Sequence, residues 1–178
     1  MIFAVDVNYR EDRAVAAGVL FDYWESTEPT LTKVVEIEIS EVEQYEPGKF
    51  YKRELPCILK LLTELEDLPE YIIIDGYVYL NHQNKAGLGK HLYDALKQKT
   101  VVIGVAKSRY KDTPSGTEVW RGSSQRPLYI DAVGMGETEA KQLITKMHGK
   151  NRIPTLIKRA DQLSKQTANN LTDLLRGL

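Results

Sequence analysis

The chain has 178 residues, 42% of them hydrophobic and 28% charged, with a formal net charge of −1. That length leads us to expect one compact domain over residues 1–178, able to bury a core without covalent staples, and the composition excludes a disordered chain. A lone cysteine, Cys57, excludes an internal disulfide framework and a cysteine-rich zinc site. The charge argues against a broad electrostatic footprint on nucleic acid but leaves room for a local basic groove.

In chain order, IFAVDV is apolar and reads as a buried strand ending at Asp6, and RAVAAGVLFDYW as a second strand in a hairpin with it. KVVEIEIS alternates Val35, Ile37 and Ile39 against Glu36 and Glu38, which predicts a half-exposed edge strand. LPCILKLLTELEDL places Leu55, Ile58, Leu59, Leu62 and Leu65 on one helical face. YIIID is a short apolar strand of the kind buried in a parallel sheet. GKHLYDALKQ predicts a helix and TVVIGVAK another buried strand. TEVWRG and PLYIDAV predict two strands around the Gly122-Ser123-Ser124 turn. ETEAKQLITKMH and IPTLIKRADQLSKQ predict two closing helices, with acids in the first turn of the former and Pro154 near the start of the latter. Three strands followed by alternation with helices imply an α/β fold, a mixed sheet flanked by helices. Residues 1–7 are too short and too soon acidic for a signal peptide, and no apolar run approaches ~18 residues, so the cytoplasm is the expected location and no membrane contact is expected.

Two apolar strands end in carboxylates, Asp6 and Asp75. A carboxylate at the end of a buried strand is costly unless solvated, paired or bound to a cation. If the strands are neighbours, both meet at one sheet edge, where Glu54 could join them; hard oxygen donors so clustered suit Mg²⁺ or Mn²⁺ and the hydrolysis of phosphodiesters. Each acid has a plainer reading: an Asp75-Gly76 turn, a strand-end turn at Asp6, a helix N-terminal charge at Glu54. The segment YEPGKFYKRELP, 45–56, packs a tyrosine, a Pro-Gly turn, Lys49, Lys52, Arg53 and Glu54 into twelve residues, more than a plain connection requires.

Taken in order, these segments resemble the endonuclease V family. FAVDVNY resembles its first-strand motif, YEPGKFYKRELP its Tyr-x-Pro-Gly wedge and Arg-Glu-Leu-Pro segment, and IIIDGYVYLNHQNKAGLGKHL its Asp-Gly-to-His block. VIGVAKSRY resembles its Gly-Val-Ala-Lys-Ser motif, and RPLYIDAVG and GKNRIPTLIKRADQL its late strand and closing block. The resemblance implies a ribonuclease-H-like sheet and a Mg²⁺-dependent endonuclease cutting DNA, or in some members RNA, on the 3′ side of a deaminated purine such as deoxyinosine. It implies metal binding by Asp6, Glu54 and Asp75, catalysis by these with Lys107, and nucleic-acid contacts from Tyr45, Pro47, Gly48, Gly76, His82 and His91. Tyr45 would stack on a base, the cations would meet phosphates, and Gly76 would let a flipped base approach the backbone. Lys107 also reads as a surface lysine at a strand end, and His91 as a packed helix residue.

The match departs in three places. Met135 stands where the family's late strand is expected to carry a metal-site histidine, with Asp131 as a substitute oxygen ligand if it faces the site. The loop DGYVYLNHQN adds Tyr77, Val78 and Tyr79, which are expected to alter or block a purine pocket. The chain is also short for the family. Two alternatives stay open: a catalytically impaired nucleic-acid-binding relative, and a phosphohydrolase of small nucleotides, against which the wedge argues.

Overall fold

The computed structural model describes residues 1–166 except 39, 41, 43, 45, 48 and 82. Tyr45, Gly48 and His82 therefore lie outside the described residues. Seven strands form one sheet in the order β3-β2-β1-β4-β5-β7-β6. The strands are β1 (Ile2–Tyr9), β2 (Arg13–Phe21), β3 (Leu31–Glu38), β4 (Tyr71–Ile74), β5 (Val101–Ala106), β6 (Glu118–Val119) and β7 (Leu128–Val133). The helices are α1 (Tyr51–Leu62), α2 (Leu88–Ala95), α3 (Glu137–Lys146) and α4 (Thr155–Lys165). The predicted element order is the observed one, and β3 is an edge. No helix among the described residues is long and apolar enough to cross a membrane.

Several boundaries differ from expectation, and two of them bear on the site. β1 runs past Asp6 to Tyr9 because β2 pairs with its whole length, Asp6 lying opposite Ala17. Its parallel pairing with β4 stops at Ala4 opposite Ile73, so Asp6 lies at a strand end on that side only. Helix α1 begins four residues before the predicted Leu55 and carries Pro56 inside it. Proline there falls in the second turn, and Cys57, Ile58, Leu61 and Leu62 bury the face that holds the helix to the sheet.

The sheet separates two apolar layers. On one side Ile2, Ala4, Ile73, Ile103 and Val105 pack with Ala140 and Ile144 of α3 and Leu156, Ala160 and Leu163 of α4. On the other, Phe3, Val5, Ile72, Ile74 and Val102 pack with Ile58 and Leu61 of α1 and Leu92 of α2. Alternating side chains thus feed opposite layers, and each large one buried contributes about 1.5–3 kcal/mol. Gly18 within β2 makes room for Phe3: a Cβ there would sit 2.2 Å from the ring Cζ.

Candidate functional site

β1, β4 and β5 are neighbours and mutually parallel, so their carboxyl ends share one edge of the sheet. Ligands of α/β sheets bind at such edges, where the chain leaves the strands for loops. Continuing the alternation, Asp6 has the parity of Ala4, Asp75 that of Ile73 and Lys107 that of Val105, so all three project toward the α4 layer. Helix α4 answers with Asp161 and Ser164. Lys107 Nζ lies 2.7 Å from Asp75 Oδ2 and 3.3 Å from Asp161 Oδ1. Ser164 donates its hydroxyl to Asp6 Oδ2 and, at 2.9 Å, to the Asp161 carbonyl. Glu54 enters from the first turn of α1, on the opposite layer.

The charges act on one another. Burial pushes the Glu54 carboxyl up to about 8, and the neighbouring Asp75 and Asp6 push in the same direction. Burial also raises Asp6, opposed by the Ser164 hydroxyl and reinforced by Asp75 and Asp161. Burial works against the charge on Lys107, but the hydrogen bond it donates to Asp75 and the charges of Asp75, Asp161 and Asp6 outweigh it and hold its pKa high. For Asp161 the balance tips the other way: burial is outweighed by Lys165, 2.7 Å away, and by Lys107, and its carboxyl stays low.

Sequence reasoning expected three acids within a few ångströms. Among the described residues, no three histidine, cysteine or carboxylate side chains converge closely enough to hold a metal ion as they stand. The chemistry of the donors nevertheless fits a hard dication. All are oxygen, and four carboxylates face two lysines, neither of which pairs with Glu54.

Beside the acids opens a cavity of about 500 Å³, lined by Glu54, Asp75 and Lys107 together with Phe50, Tyr51, Tyr77, Leu80, Leu88 and Tyr110. Gly76 lines it with φ 142°, a conformation that suits glycine. Of the loop residues expected to alter or block a purine pocket, Tyr77 lines this cavity. Val78 is turned fully inward to the α1–α2 layer. The Tyr77 hydroxyl is drawn aside, donating to Ser108 O at 2.8 Å and accepting from Thr113 Oγ1 at 3.1 Å. Tyr51 stacks on His91, ring centroids 3.7 Å apart and 16° from parallel, so His91 backs the wall of the cavity. This is the packed-helix reading of His91.

Two expectations are corrected here. Asp131 is not a spare metal ligand: both its oxygens lie 2.9 Å from Val78 N, and Oδ2 also accepts from Tyr79 N at 2.9 Å. It clamps the loop after β4. A Cβ at Gly104 would lie 2.3 Å from its Oδ1, which is why β5 carries glycine there. Met135 is not at the acidic edge. Ile130 pairs with Val105 near that edge, whereas Val133 pairs with Val102 toward the opposite one. β7 ends at Val133, and Met135 follows it at that opposite end, so its thioether replaces no ligand among the acids. The cations of the 45–56 segment also have partners within the protein. Lys49 and Lys52 pair with Glu46 at 2.5 and 3.1 Å, and Arg53 lies over the Tyr9 ring at 4.2 Å. The residue sequence reasoning missed is Asp161. Its Arg-x-Ala-Asp context was visible, but nothing local distinguishes that aspartate from any exposed helical acid.

A mixed sheet of this order, with acids at the carboxyl edge and helices on both faces, defines the ribonuclease-H-like class of nuclease folds. Among solved structures, an endonuclease V variant from Ciona intestinalis, in complex with a 23mer DNA containing an inosine followed by a ribo-adenosine, superposes with a TM-score of 0.78. It is 19% identical, and the match covers 97% of this chain and 86% of that one. Endonuclease V from Streptomyces avermitilis gives 0.74 at 26% identity, covering 96% and 82%. The Endonuclease V sequence profile matches residues 1–137. Endonuclease V of Pyrococcus horikoshii is 33% identical over 165 residues, 92% of this chain and 72% of its own length. That of Thermococcus kodakarensis is 30% identical over 162 residues, covering 91% and 76%. This chain belongs to the endonuclease V family.

Proposed function

We propose that this protein is a metal-dependent endonuclease that hydrolyses a phosphodiester bond 3′ of a deaminated purine in nucleic acid. One observation carries the reading: mutually repelling carboxylates and a lysine adjoin an aromatic-lined cavity of about 500 Å³, with Glu54, Asp75 and Lys107 in its lining. Family membership and the inosine-containing DNA bound by the Ciona relative support it.

In this reading Asp6, Glu54 and Asp75, joined by Asp161, would hold Mg²⁺ or Mn²⁺. When bound, such an ion supplies an activated water and stabilises the leaving oxygen. The residues of the chain do the rest. A base flipped from its stack enters the cavity against the faces of Tyr51, Tyr77 and Tyr110, with the Gly76 backbone close to its edge. Lys107, at the seam between cavity and acids, positions the scissile phosphate. Tyr45, Pro47 and Gly48 serve as the wedge that parts the strands, while His82 contacts nucleic acid and His91 supports the wall.

The test is cleavage of inosine-containing and matched control strands, as DNA and as RNA, with Mg²⁺ or Mn²⁺. Inosine-dependent cleavage is expected, abolished by Asp75→Asn, and by Asp161→Asn to a similar degree. Tyr45→Ala is expected to weaken duplex binding. Binding with no cleavage by either metal would leave a non-catalytic relative; hydrolysis of free inosine nucleotides alone would point to a small-molecule enzyme.

A further inference from the structure

Arg121 is 6% exposed, and its guanidinium pairs with no carboxylate among the described residues. It donates to four main-chain carbonyls. Nη2 reaches Met147 O at 2.6 Å and Gly149 O at 3.1 Å; Nη1 reaches Asn151 O at 2.9 Å and Arg152 O at 3.3 Å. All four belong to the connection between α3 and α4. A buried cation without a counter-ion is tolerated only when its hydrogen bonds are well satisfied, so this cage fixes the connection tightly.

The same connection carries Arg152, which reaches toward the acidic edge. Its Nη2 donates to the carbonyl of Lys107 and, at 2.7 Å, to Pro127 O, which Nε also approaches at 3.2 Å. The Tyr77 hydroxyl donates to Ser108 O at 2.8 Å. Two successive main-chain carbonyls, those of Lys107 and Ser108, are thus held where the Lys107 side chain leaves β5 for Asp75 and Asp161.

We propose that Arg121 and Arg152 form a two-step brace that sets where the Lys107 ammonium sits, and that both are positioning residues for phosphodiester cleavage. The catalytic half of this rests on the nuclease reading above. The brace itself does not. Displacing a catalytic group by about 1 Å can cost up to ~100-fold in rate, so a brace of this kind has a measurable effect.

Arg152→Lys keeps the charge but cannot hold two carbonyls in one plane. Tyr77→Phe, which deletes only a hydroxyl, releases the Ser108 carbonyl. The first readout needs no activity: acetylation of Lys107 by acetic anhydride in the full chain, followed by mass spectrometry against Lys141 as internal reference. We expect Lys107 to be labelled about threefold faster or more in Arg152→Lys, and to a smaller extent in Tyr77→Phe, as its anchored geometry relaxes. The second readout is single-turnover cleavage of an inosine duplex. We expect about a tenfold slower rate in Arg152→Lys with the duplex Kd within about twofold of wild type. Unchanged Lys107 labelling in both variants overturns the brace. A loss of rate matched by an equal loss of binding overturns the positioning role. A wild type that labels as expected but never cuts overturns the nuclease reading and leaves the brace standing.

Discussion

Glu54 is the acid whose charge in the cleft is least compensated. Its carboxyl, ordinarily at 4.5, sits at about 8 in the fold because burial and two neighbouring aspartates oppose ionisation. The folded state therefore holds a proton that the unfolded chain releases between these values. Stability from this residue is full below pH 4.5 and falls as pH rises toward 8. The charge on Glu54 is therefore destabilising at pH 8 and absent at pH 4.5. Glu54→Gln should raise Tm at pH 8 and leave it unchanged at pH 4.5, and Mg²⁺ should raise the wild-type Tm at pH 8 more than that of Glu54→Gln. Equal gains at both pH values would show that charge repulsion is not the cause. Asp131 presents the opposite case, a carboxyl raised to about 6 by burial yet supported by the Val78 and Tyr79 amides. Asp131→Ala strands those amides and should cost about 2–3 kcal/mol. Amide exchange at Val78 and Tyr79 should accelerate beyond what the lost global stability explains; protection that falls equally in β1 would refute a local clamp.

At the level of elements, the site depends on how closely β5 and α1 approach their neighbours. β5 passes beneath the Asp131 clamp only because position 104 lacks a side chain; a Cβ there meets Asp131 Oδ1 at 2.3 Å and Gly76 O at 2.6 Å. Backbone cannot yield as a long side chain can, so Gly104→Ala should destabilise by about 3 kcal/mol or more, measured by urea unfolding. A loss below about 0.5 kcal/mol would show that the clamp relaxes freely. Helices α1 and α2 meet across the cavity through the Tyr51–His91 stack. His91→Ala should cost about 1 kcal/mol beyond the area it buries. His91→Phe, which restores a flat ring, should recover most of it. Failure of this rescue would assign the loss to the imidazole nitrogens instead.

For the whole molecule, the sheet is the common wall of two apolar layers, and each layer contributes acids to one edge. Glu54 arrives from the α1 layer, Asp161 from the α4 layer, and Asp6 and Asp75 from the strands between. The cleft therefore exists only while both layers are docked. Urea unfolding followed by far-ultraviolet circular dichroism and by fluorescence of Trp24, half-buried against Tyr71, should give one coincident transition. Two separated transitions would show that the layers melt independently.

The chain by itself determined the order of elements, because period-two and helical apolar patterns alternate along it with clear turn residues between. It also singled out Asp6, Glu54, Asp75 and Lys107, although β1 runs on past Asp6 to Tyr9 and the strand end expected there exists only on the β4 side. What tertiary structure alone decided was which of these residues meet. The parallel pairing of β1, β4 and β5 brings Asp6, Asp75 and Lys107 to one edge, while the antiparallel run of β7 carries Met135 to the other. Asp161 and the Arg121–Arg152 brace likewise belong to the site through packing, since a helical acid or a loop arginine has no local pattern that announces its partner. Local sequence fixes conformation through neighbours a few residues away, whereas a cleft is assembled from segments more than a hundred residues apart.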